Sequence, residues 1–139
     1  MKRHLVLLLI AGAVLSMPQP LAAASRAPTI ALSIIHVVRG CHVWARPSGA
    51  IGSDSTISVK PGTRVKIRLV CPMDFDVSQT RGPKLAIGGR RFYTGSTRVL
   101  VFRKAGVYRL RAKNVQTSEE VGLQTLGEDN VLRLTVRVK

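Results

Sequence analysis

VKPGTRVKIRLVCPMDFDV, residues 59–77, is the stretch on which the reading of this chain turns. Pro61-Gly62 is a turn signal, because proline presets φ for one turn position and glycine accepts positive φ at the next. From Arg64 the alternation is strict. Val65, Ile67, Leu69 and Cys71 point one way, and Arg64, Lys66, Arg68 and Val70 the other. A strand of this kind has one face on a core and one in water, as in antiparallel sheets. Cys71-Pro72-Met73-Asp74-Phe75-Asp76 then reads as a loop carrying two sulfur side chains.

The same short-strand pattern repeats outward in both directions. Thr29 to Val38 is β-branched, with Ile30, Leu32, Ile34, His36 and Val38 on one face by period 2. Cys41 to Ala45 and Thr56 to Lys60 are further short strands, separated by a Gly- and Ser-rich loop from Pro47 to Ser55. Strands are also expected at Lys84–Ile87, Arg98–Arg103, Val107–Lys113 and Val131–Val138, and a helical turn or two at Thr117–Leu126. Seven or eight strands with regularly spaced turns predict an all-β fold, a Greek-key β-sandwich. Tyr108, just inside a strand after Gly106, is either a tyrosine corner or an ordinary half-buried strand tyrosine.

Met1-Lys2-Arg3-His4, the apolar run Leu5–Met17 and Ala22-Ala23-Ala24 have the layout of a secretory signal peptide over residues 1–24. The run of about 13 residues falls short of the roughly 20 that a membrane-spanning helix needs. Residues 25–139 are then one domain, exported to a bacterial periplasm or secreted. In an oxidising compartment Cys41 and Cys71 are expected to form a disulfide. Two free thiols beside a metal are the alternative.

Val59-Lys60-Pro61-Gly62-Thr63-Arg64-Val65-Lys66-Ile67 resembles the V-K-P-G-D-x-V-x-F segment of the cupredoxins, and Phe102-Arg103-Lys104-Ala105-Gly106-Val107-Tyr108 is similar to their F-x-x-P-G-x-Y. Immunoglobulin-like sandwiches share part of this pattern. The resemblance covers roughly residues 50–138. It implies a cupredoxin-like fold and, in intact members, electron transfer through copper held by two imidazoles, a thiolate and a weak axial ligand. This chain departs at the ligand positions. Phe75 stands where the first histidine is expected, Ala112 where the cysteine is expected, and no histidine follows His42. A type 1 site built in the family's way is not expected from these residues. A divergent copper site of Cys41, His42, Cys71 and Met73 remains as one reading, since sulfur ligands with an imidazole suit Cu(I). A Cys41–Cys71 disulfide beside Trp44, with Met73 filling the core, is the other. His36 reads as a plain strand histidine.

The chain carries 22 Lys and Arg against 7 Asp and Glu, a formal charge of +15, and only Lys2 and Arg3 of these cations lie in the leader. Arg64, Lys66, Arg68, Arg109, Arg111, Lys113, Arg133 and Arg137 occupy outward strand positions. Were those strands to share a sheet, one face would attract anionic envelope polymers or a membrane surface. Nucleic acid is disfavoured by export and by the lack of interleaved aromatics. Two function classes follow. One is a non-catalytic copper-binding protein, and the other a structural or adhesion module acting through its basic face. No enzyme is expected. Asp74 and Asp76 read as a solvated turn or as partners for nearby arginines, and nucleophile-elbow, zincin and phosphate-loop motifs are absent.

Overall fold

The computed structural model describes residues 27–37, 42–116 and 131–139. The predicted leader, the helical turn at 117–126 and Cys41 lie outside these residues. Ten strands are described: β1 (Thr29–His36), β2 (His42–Arg46), β3 (Gly49–Gly52), β4 (Asp54–Val59), β5 (Thr63–Leu69), β6 (Phe75–Arg81), β7 (Arg91–Phe92), β8 (Thr97–Phe102), β9 (Gly106–Asn114) and β10 (Val131–Val138). They form two five-stranded sheets, β3-β2-β1-β5-β8 and β4-β10-β9-β6-β7. Each sheet contains one parallel pair, β1 with β5 and β4 with β10. The wholly antiparallel sheets of an immunoglobulin constant-type sandwich are therefore not adopted. The fold is an all-β sandwich of two five-stranded sheets.

β5 has the alternation its sequence predicts. Thr63, Val65, Ile67 and Leu69 are buried, while Arg64, Lys66 and Arg68 face out. The turn before it is closed by the Thr63 amide donating to the Lys60 carbonyl at 3.1 Å, with Gly62 at φ 86°. That is a type II arrangement, with Pro61 and Gly62 in the positions the turn demands. The core between the sheets holds Trp44, Phe75, Phe102, Tyr108 and aliphatic residues of both inner faces. Trp44 of the first sheet donates its indole N–H to the Arg133 carbonyl of the second, at 3.1 Å. This bond satisfies a buried donor and ties the two layers.

Tyr108 is a tyrosine corner. Its hydroxyl donates to the Lys104 carbonyl at 2.7 Å, and its ring stands edge-on to Phe102 at 4.9 Å. Elsewhere the predicted strands need correction. Phe75–Arg81 is a full strand, although it was expected to begin in a loop, and Gly49–Gly52 forms a short strand inside the expected Pro47–Ser55 loop. Lys84–Ile87 is not a strand. The β6–β9 register shifts between Gln79 and Arg81, and the Gln79 side chain takes over the backbone pairing. Its amide donates to the Pro83 carbonyl and its oxygen accepts from the Leu85 amide. Leu85 and Ile87 still pack against the core, so their apolar pattern misled the strand reading.

Tyr108→Phe removes one hydrogen bond and no apolar contact. It should lower unfolding stability by about 1 kcal/mol. A urea melt with the midpoint shifted and the slope unchanged is the expected result, and an unshifted midpoint would deny the corner a structural role.

Candidate functional site

The end of the sandwich where β5 crosses to β6 gathers most of the singled-out residues. Leu69 is the last residue of β5 in the first sheet, and Phe75 the first of β6 in the second. The backbone between them is stitched to both layers. The amides of Val70 and Cys71 both donate to the Ile34 carbonyl of β1, at 2.9 and 3.3 Å. On the other side the Val115 amide donates to the Asp74 carbonyl, and the Asp74 amide to the Gln116 side chain at 2.8 Å. Cys71, Met73 and Phe75 are thereby turned inward and fully buried.

Next to this crossing stand two histidines. His36, the last residue of β1, is the direct cross-strand partner of His42, the first of β2. Opposed residues share a face in an antiparallel pair, so the imidazoles meet, with ring centroids 5.2 Å apart. His36 is a strand histidine, as expected, and the β1–β2 pairing sets it against a second imidazole. His42 is 0 % exposed and also meets Phe75 edge-on, at 5.3 Å and 75°. Phe75 of the second sheet is thus in contact with an imidazole supplied by the first. Among the described residues, neither nitrogen of His42 nor Nδ1 of His36 has a hydrogen-bond partner, and all three atoms are buried. A buried polar atom left in this state costs about 1–3 kcal/mol and calls for a physical reason.

Desolvation, reinforced by the neighbouring His36, lowers the His42 pKa to about 4. Both imidazoles lie in the same small region, and a neutral imidazole offers one lone pair for a ligand. Cys71 is chemically quieter. Burial pushes its thiol pKa up, the effect of Asp74 adds to this, and the S–H donates to the Met73 carbonyl at 3.5 Å. A thiol held protonated is a poor metal ligand. No disulfide is found among the described residues, and Cys71 has no bridging partner there. Among the same residues no three His, Cys, Asp or Glu side chains gather at metal-binding distance. The structure joins His42 to His36, a residue the sequence reading set aside.

Phe75 and Ala112 at the ligand positions are both fully buried apolar residues in adjacent strands of the second sheet. Asp74 and Asp76 act as partners to their surroundings. Asp76 holds Arg90 and Arg91 at 2.9 and 3.2 Å, and Asp74 accepts from the backbone and side chain of Thr94. The eight outward cations are divided between two opposite faces. Arg64, Lys66 and Arg68 lie on the β5 sheet, and Arg109, Arg111, Lys113, Arg133 and Arg137 on the β9–β10 sheet. The single eight-charge face is corrected accordingly.

No family model and no curated protein matches the sequence. Among solved structures the chain is similar to a purple cupredoxin from Nitrosopumilus maritimus, at 17 % identity and a TM-score of 0.44, over 77 % of this chain and 98 % of that one. It is also similar to a copper-containing nitrite reductase from Thermus scotoductus SA-01, at 12 % identity and a TM-score of 0.43, over 82 % of this chain and 28 % of the reductase. A cysteine protease inhibitor from Entamoeba histolytica matches at 10 % identity and a TM-score of 0.37, over 80 % of this chain and 97 % of the inhibitor.

The depressed His42 pKa makes a signed prediction for the metal-free protein. Its folded value lies below the ordinary 6.5, so the unfolded chain binds more protons between the two. The contribution of a neutral His42 is present above pH 6.5 and is lost as pH falls toward about 4. Stability in chelator-containing buffer should drop through that window by on the order of 2–3 kcal/mol. The drop should be much smaller in His42→Phe, and an equal drop in both proteins would assign it elsewhere.

Proposed function

We propose that this chain is an exported, non-catalytic, cupredoxin-like protein that binds copper as Cu(I) between His36 and His42. The observation that carries this reading is the pair of facing imidazoles, three of whose ring nitrogens are buried and find no partner among the described residues. A metal that accepts two lone pairs accounts for their burial, whereas the apolar core alone makes it costly. Soft sulfur donors at the same end favour copper over zinc. Of these, Met73 is the better candidate third ligand, because its thioether needs no deprotonation. Cys71 is the weaker one, and Cys41, the neighbour of His42 in sequence, remains a candidate within the proposed site. Copper bound here would be carried or stored. The covalent thiolate that type 1 electron transfer relies on has no counterpart at Ala112.

Anaerobic titration with Cu(I) against a competing chelator tests this reading. One equivalent should bind, and His36→Ala or His42→Ala should each weaken binding by at least tenfold. Cys71→Ser should change it little. Failure of the unaltered protein to compete, or binding by both histidine variants as tight as that of the unaltered protein, would overturn the proposal.

A further inference from the structure

Independently of the metal site, we propose that the outer face of the β10–β9–β6 sheet binds a linear acidic glycan bearing sulfate or phosphate groups. The sheet register places arginines directly opposite one another: Arg111 faces Arg133 across β9 and β10, and Arg109 faces Arg81 across β9 and β6. Like charges in directly opposed positions destabilise a sheet, so two such pairs side by side oppose folding unless an anion sits between them. The acidic residues of the described chain do little to offset them. Asp54 reaches Arg133 only at 4.0 Å, with both side chains mostly exposed, and Asp76 is engaged by Arg90 and Arg91.

The surface has a receiving shape as well as a charge. A shallow groove of about 440 Å³ is lined by Arg109, Arg111 and Arg133 together with Thr80, Thr135 and Asp54. It adjoins a broader hollow of about 750 Å³ that shares Arg109 and Thr135 and adds Arg81, Arg137 and Lys139. The basic floor is therefore continuous across three strands. Successive same-face residues on a strand lie roughly 7 Å apart. Opposed residues on neighbouring strands lie roughly 5 Å apart. Guanidinium forks on such a grid suit repeated monoanionic groups along one chain, each taking paired N–H donors.

The same face argues against the other anionic partners. A membrane-binding face needs a band of apolar side chains to enter the lipid. Within β6, β9 and β10 only Val107 is a large exposed apolar residue, with Val115 just beyond the end of β9. Single-stranded nucleic acid needs aromatic platforms. The exposed aromatic of the described chain, Tyr93, lies beyond β7 at the far edge of the sheet.

Binding of the full mature chain to heparin, to single-stranded DNA of similar length and to vesicles of phosphatidylcholine with phosphatidylglycerol separates these partners. Heparin should bind tightest, with an affinity that falls steeply with salt. Arg111→Ala/Arg133→Ala should weaken it at least tenfold and reduce the salt slope by about two. Arg64→Ala/Lys66→Ala/Arg68→Ala, on the opposite face, should change it less than threefold. All five positions are exposed, and circular dichroism will show the fold retained. Equal heparin losses in the two variants, no loss in the first, or tighter binding to DNA or vesicles would overturn the proposal.

Discussion

The Ile34 carbonyl accepts two amides, those of Val70 and Cys71, and the site at this end of the molecule depends on that fork. It fixes the point at which the chain leaves the first sheet. The Asp74 backbone, paired to Val115 and to the Gln116 side chain, fixes where it joins the second. Between these anchors Cys71 and Met73 turn inward while Pro72 is exposed. Phe75 enters β6 already beneath His42. A crossing of this kind leaves few backbone groups unpaired, which is what allows a non-repetitive segment to be buried at a sandwich end.

The histidine pair has the opposite character. The strands around it satisfy their backbone groups through the ladder, but the imidazoles were placed by register and not by hydrogen bonding. Cross-strand opposition sets their separation, and the edge-on contact with Phe75 holds the His42 ring. Desolvation then disfavours the charged form, so His42 is kept neutral well into the acidic range. The result is a lone-pair site within an apolar end, built from different positions and a different sheet than those Phe75 and Ala112 occupy.

Much of the scaffold was legible because local physics and global fold agree there. Arg64 to Leu69 alternates strictly, Pro61-Gly62 meets the φ demands of its turn, and Tyr108 follows a glycine in the pattern of a corner. The failures occurred where a side chain or a register replaced local pattern. Leu85 and Ile87 look like strand residues, yet Gln79 takes the hydrogen bonds that a neighbouring strand would have made. The loop reading ran past Phe75 because Asp74 and Asp76 flank it, whereas Asp76 is paired with Arg90 and Arg91 and the strand begins at Phe75. His36 could not be paired with His42 without knowing the β1–β2 register, and the division of the basic strands between two sheets is a property of topology, which no single strand encodes.

X-ray absorption at the copper edge on the Cu(I)-loaded protein tests the central claim most directly. The account predicts two nitrogen scatterers with imidazole multiple-scattering features, one set of which disappears in His36→Ala. A first shell made only of sulfur, or imidazole features unchanged in that variant, would contradict a site built on the facing histidines.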